Sequence, residues 1–208
     1  MLFRSMARLK SSEMDIVQGD AVRKYLMFSN GHDGATSASI GFTPVRIVCA
    51  NTLAMALRNQ SSKIMRVMHS KRVLENLDLL RETVNAIDAS FEATAEQYRI
   101  LAKREINKGD LEKYVDLVFY NGKAAESDRE KIARESLSNE INKLFQVGYG
   151  NDLAGVRNTY WALYNGVTQY LSYESGRTQD GRLDSLWFGQ NKSKNETALE
   201  YALNLATA

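Results

Sequence analysis

The chain has 208 residues, 44% apolar and 25% charged, with a net charge of +2; this is an ordinary globular composition with material for a sizeable core, and it excludes a disordered chain. A lone cysteine cannot close an internal disulfide, and one cysteine with two histidines falls short of any familiar zinc-site spacing, so neither metal nor cofactor is expected. No stretch approaches the roughly 18 uninterrupted apolar residues of a membrane helix and MLFRSMARLKSSEMD lacks a signal-peptide core, which predicts a cytoplasmic protein without a membrane segment.

The charge is unevenly placed. Residues 1–72 hold 11 Lys and Arg against 4 acids, a net +7, whereas the rest holds 16 against 21, a net −5. A basic first third on an acidic remainder suggests a surface that faces a polyanion, the bland alternative being scattered solvated cations.

In chain order, LFRSMARL and DAVRKYLMFS alternate imperfectly between apolar and polar positions and predict two strands, with Arg23, Tyr25 and Met27 on one face and Val22, Lys24, Leu26 and Phe28 on the other. NGHDG follows, and its Asn-Gly and Asp-Gly pairs supply the positive φ angles of a tight hairpin, placing Asn30–Gly34 at the tip and a return strand near Thr36–Phe42. After Pro44, VRIVCA is short, apolar and β-branched, and reads as a nearly buried strand; ANTLAMALRNQ then reads as a short helix capped by Asn51 or Thr52. SKIMRVMHS alternates once more and suggests a further strand.

From Ser70 the period changes to about 3.6. Leu74, Leu77, Leu80, Val84, Ile87, Phe91, Ala95 and Tyr98 recur at spacings of three and four, predicting one long amphipathic helix. Two more helices follow, one opening on Asp110 as its cap and ending at Asn121-Gly122, the other opening at Ser127 or Asp128 and closing at Gly148. A last pair, about Val156–Tyr173 and Asn195–Leu205, brackets a Gly-rich, charged loop. The expected fold is α+β: a small antiparallel or mixed sheet with one short helix, then a helical bundle, with a basic β-rich part at 1–69 and a helical part at 70–208 in one continuous domain.

Rare residues invite chemical readings. Cys49 with His32 or His69 as base would make a Cys/His hydrolase, but a cysteine inside RIVCANTL reads first as a small buried hydrophobe. His32 and Asp33 in GHDG are explained by turn chemistry as readily as by acid and base roles. Paired catalytic acids, a P-loop and a Ser elbow do not occur, so no catalytic residue is assigned. The stripes Tyr160, Leu163, Val167, Tyr170 and Trp161, Tyr164, Thr168, Leu171 read as core packing rather than as a stacking platform for bases.

YLMFSNGHDGATSASIGFTPVRIVCANTLAMAL, then MRVMHS, and later GNDLAGVRNTYWALYNGVTQYLSYESGR with LWFG together resemble the phage- and plasmid-borne family catalogued as domain of unknown function 932. The matching positions are His32, Asp33, Gly34, Thr43, Pro44, Arg46, Cys49, Asn51, Thr52, Leu53, His69, Trp161, Asn165 and Tyr173, and the likeness runs over roughly residues 20–205. Where the family's pattern has an adjacent Arg-His, Arg66 here stands apart from His69. The resemblance also implies that family members carry a segment ahead of the sheet, so that a second copy or another chain would complete the sheet edge here.

Two readings of function follow, and an enzyme is the lesser third. The first is a nucleic-acid-binding protein of phage or plasmid DNA metabolism, a single-strand binding or annealing factor, with Arg46, Lys63, Arg66, Lys71 and Arg72 on phosphates and Tyr25 stacking on bases. The second is a non-enzymatic interaction or assembly module, acting as a regulator, inhibitor or structural factor.

Overall fold

The computed structural model describes residues 2–31, 38–54, 65–67, 91–107 and 109–208, with side-chain surroundings given for 13–25, 43–54, 91–107 and 109–208. Four antiparallel strands lie in the order β1 (Leu2–Val17), β2 (Asp20–Gly31), β3 (Ala38–Arg46), β4 (Met65–Val67). β1 and β2 join through a two-residue turn in which Gly19 takes φ +83°, a left-handed conformation glycine adopts without penalty. β1 is 16 residues long, about three times the usual strand, and its register against β2 breaks between Arg8 and Glu13. The alternation of β2 turns Val22 and Lys24 inward; Lys24 buries its stem and sets its ammonium 5.4 Å from the Phe91 ring centroid. On the other face Arg23 pairs with Glu13 at 2.5 Å beside a partly buried Tyr25.

Two expectations for this region need correction. β3 runs through Pro44 and stops at Arg46, so VRIVCA is not a buried strand: Ile47–Cys49 form a turn and Ala50 takes φ +53°. The chain reverses there because the next segment returns along the end of β3, with the Arg46 N–H donating to Asn51 O at 3.1 Å and the Leu53 N–H to Pro44 O at 2.9 Å. For the same reason Asn51 and Thr52 cap no helix: Thr52 bridges to Val45 and residues 51–54 carry no helical structure. Asn30 and Gly31, expected at the hairpin tip, are instead the last residues of β2, paired with Phe3 and Leu2; residues 32–37, the rest of the expected short helix and the first part of the long one lie outside the described residues.

Residues 91–103 form helix α1 and bury Phe91, Ala95, Tyr98 and Leu101, the three-and-four spacing expected there. Next come α2 (Asp110–Tyr120) and α3 (Asp128–Val147). Gly109 rather than Asp110 caps α2, whereas Ser127 caps α3 by accepting from the Glu130 N–H at 3.2 Å, and Glu130 reaches back to the Glu126 N–H at 2.8 Å. α4 (Tyr160–Gln169) continues into a π-helical turn, Tyr170–Glu174, and every residue of α4 is buried. A Cβ on Gly166 would sit 3.0 Å from the Phe145 backbone nitrogen, so this glycine is what lets α3 and α4 approach.

The expected Gly-rich loop contains a further helix, α5 (Gln179–Phe188), capped by Thr178 and burying Leu186 and Trp187, before α6 (Gln190–Thr207). Ile16, Val22, Leu53 and Ala54 from the β-rich part join the same buried cluster as residues of each helix from α1 to α6. The fold is α+β, as expected.

Candidate functional site

Asp20 opens β2 directly after the hairpin turn and Arg46 closes β3; in the antiparallel register these two strand ends lie side by side, Val22 opposite Arg46. Both side chains are 0% exposed. Arg46 Nε donates to Asp20 Oδ1 and Oδ2 at 2.8 and 2.9 Å, and Nη2 donates to Asp20 Oδ2 at 2.6 Å and to Gly150 O at 2.9 Å. Nη1 donates to Tyr149 O and Asn151 Oδ1, each at 3.0 Å. Every N–H direction of the guanidinium is therefore engaged. Trp161 adds its indole N–H to Asp20 Oδ2 at 2.8 Å while its ring lies 5.6 Å from the guanidinium carbon.

Asn151 ties this pair to the helices, its amide donating to Leu144 O and Ala162 O, both at 3.0 Å. The charge pair thus bolts the sheet to the loop between α3 and α4. Such a pair is neutral as a unit and leaves no site for a ligand; its chemistry is orientation, since a guanidinium with several fixed acceptors tolerates one geometry.

A second polar cluster holds residues 51–54, which carry backbone groups that a helix or sheet would otherwise satisfy. Tyr164 Oη accepts from the Ala54 N–H at 2.8 Å and donates to Asn195 Oδ1 at 2.9 Å; the Tyr98 hydroxyl donates to Ala54 O. Asn195 donates to Thr52 O at 2.9 Å, and Asn51 donates to the Thr168 hydroxyl at 3.3 Å. Burial raises the Tyr98 and Tyr164 phenols above the usual tyrosine range, keeping them protonated.

The residues singled out in the sequence divide sharply. Arg46, expected on phosphate, is withdrawn into the interior and its donors are used up, so it is a structural residue here; the cause is Asp20, which has no signal in the sequence beyond following a turn glycine. Asn51, Trp161 and Asn165 are buried with it, and Asn165 donates to Trp161 O at 2.8 Å. Tyr25 stands on β2 opposite Arg8 and Thr43, and Arg66 on β4 opposite Ser39. Lys63, Lys71, Arg72, His32, Asp33, Gly34 and His69 lie outside the described residues. Cys49 is buried, and burial pushes its thiol up, away from the thiolate a nucleophile needs, with Arg46 opposing the shift.

Sequence reasoning missed Asp20, Asn151, Tyr98 and Asn195 as members of these clusters. Within GYGND the carbonyls of Tyr149 and Gly150 turn toward Arg46. Among the described residues no group of three or more His, Cys, Asp or Glu is arranged to hold a metal ion, and no helix is long and apolar enough to cross a membrane.

The profile of the family described as Domain of unknown function (DUF932) matches residues 2–187. No curated protein and no solved structure matches the chain.

Proposed function

The chain belongs to the DUF932 family, which is defined without an assigned activity, and we propose that it binds nucleic acid, with single-stranded DNA of a phage or plasmid in the cytoplasm as the favoured target. The observation that carries this reading is the +7 of residues 1–72, which is not altered by the buried pair: Arg46 and Asp20 remove one charge of each sign from it. The remaining cations include Arg4, Arg8 and Lys10 on β1, an edge strand of the sheet, and Arg66 on β4 at the other edge.

Lysine and arginine neutralise phosphates and release condensed counterions, a driving force that needs no catalytic group. Base stacking by Tyr25 would add affinity without sequence preference. A second reading, an interaction or assembly module, is favoured by a cluster of exposed apolar side chains beside the end of β3.

Fluorescence anisotropy of a labelled single-stranded oligonucleotide tests the proposal. The expected result is binding that weakens with salt at a log-log slope of about −0.7 per phosphate contacted, and that is lost in Lys63→Glu/Arg66→Glu/Lys71→Glu. Absence of binding at low salt would overturn the nucleic-acid reading.

A further inference from the structure

Eight large apolar side chains stand exposed among the described residues, and five of them belong to one place: Ile47, Val48, Val147, Tyr149 and Tyr173. The turn after β3 presents Ile47 and Val48; Val48 packs over Gly150, where an added Cβ would lie 2.6 Å from Val48 Cγ1. Tyr149 precedes that glycine, and Val147 ends α3 two residues earlier. Tyr173 arrives from the π-helical turn and donates its hydroxyl to Cys49 O at 2.6 Å. That bond sets the Tyr173 ring beside the turn that carries Ile47 and Val48.

We infer that this patch is the contact surface between two copies of the chain related by a twofold axis. The five side chains leave open on the order of 500 Å² of surface, near the upper end of what a monomer ordinarily shows in one patch. With a polar rim added, that approaches the roughly 800 Å² per partner of a standard stable interface.

A twofold contact lays a surface on itself, so the surface must complement itself. An apolar centre does so by burying itself, but a rim of one charge sign would repel its own copy. Here the flanking charges carry both signs: Lys143 one turn before Val147, Asp152 after the Tyr149–Gly150 turn, and Glu174 next to Tyr173, all exposed. The two tyrosines belong to a residue type enriched in interfaces.

The patch is held rigid before any partner arrives. Arg46 fixes the carbonyls of Tyr149 and Gly150, Gln169 Oε1 accepts from the Tyr149 N–H at 3.0 Å, and Cys49 O fixes the Tyr173 ring. Pre-ordered side chains lose little entropy on docking. Because β3 ends at Arg46, one residue before Ile47, the dimer joins two copies at the ends of their basic sheets. This inference does not depend on nucleic-acid binding.

Sedimentation velocity on the full chain over a concentration series reads it directly. The wild type is expected to pass from monomer to dimer as concentration rises. Val48→Lys and Tyr149→Lys should each weaken association by about tenfold or more. Ile132→Lys, which replaces an exposed apolar residue on α3 away from the patch, should leave it unchanged. Circular dichroism and thermal melting confirm that each variant is folded. A wild type that stays monomeric throughout, a dimer that survives the Val48→Lys/Tyr149→Lys double substitution, or an equal loss in Ile132→Lys would each overturn the inference.

Discussion

The indole N–H of Trp161 donates to Asp20 Oδ2 at 2.8 Å across 141 positions of sequence, and the same oxygen accepts from Arg46 at 2.6 Å. One carboxylate therefore holds a strand end, the neighbouring strand and the most buried helix in a single arrangement. Removing its charge leaves the Arg46 guanidinium buried without a counterion. Asp20→Asn is expected to lower stability by about 3–5 kcal/mol in urea unfolding. Asp20→Leu combined with Arg46→Met should recover only part of that loss, because it removes the stranded charge but leaves the Trp161 indole N–H, the Tyr149 and Gly150 carbonyls and Asn151 Oδ1 without these partners.

Tyr164 Oη satisfies a backbone N–H on one side and an asparagine carbonyl on the other. Tyr164→Phe keeps the ring but leaves both buried groups without this partner. A loss of about 1–3 kcal/mol is expected by chemical denaturation. Hydrogen exchange at the Ala54 amide should accelerate more than exchange in α2, which makes no use of that hydroxyl.

Gly150 takes φ +72°, and its missing side chain is where Val48 packs. Gly150→Ala combines a strained backbone with an overlap against Val48, and the added methyl also approaches Arg46 Nη2 at 3.1 Å. A destabilisation of about 1–3 kcal/mol is expected, read as a lower melting temperature. Val48→Ala in the same chain should relieve part of it.

Glu174, although exposed, has its carboxyl raised above the ordinary glutamate value, first by partial loss of hydration against the protein surface and then by the neighbouring Glu140, with Lys143 opposing. A raised carboxyl means the folded state holds its proton more tightly than the unfolded state. Its contribution to stability is therefore fully present below the ordinary glutamate value and is lost as pH rises through the folded one. Glu174→Gln should make the protein more stable than the wild type above that window, the difference shrinking to nothing in acid. Melting temperatures measured across the acidic range check this.

The helices show how far local signals reach. Ser127 with Glu130 is a cap readable from spacing alone, and the three-and-four stripes of α4 demand burial on more than one side. α5 was missed because its glycine and charges mask a helix that buries little beyond Leu186 and Trp187. Ile47 and Val48 differ from expectation for another reason: apolar β-branched residues suit an interior strand, but the chain turns there to bring residues 51–54 back along β3.

Arg46 carries no local mark of its role. Nothing local distinguishes an arginine that meets phosphate from one that meets a carboxylate. Its partners stand 26 and more than 100 positions away, and two of them are backbone carbonyls that any residue could supply. Of the positions that carry the family resemblance, Arg46, Asn51, Trp161 and Asn165 are interior residues of this chain.

The bond from Asn195 to Thr52 O spans 143 positions and has a consequence for biosynthesis. A ribosome adding about 5–20 residues per second needs roughly 7–30 s to travel from one to the other. Throughout that interval the nascent chain has made residues 51–54 but not the asparagine that holds Thr52, and Tyr164 emerges only shortly before it. The first third of the protein thus waits on the last helix to complete its tertiary structure, and a truncated product lacking α6 leaves that segment without its anchor.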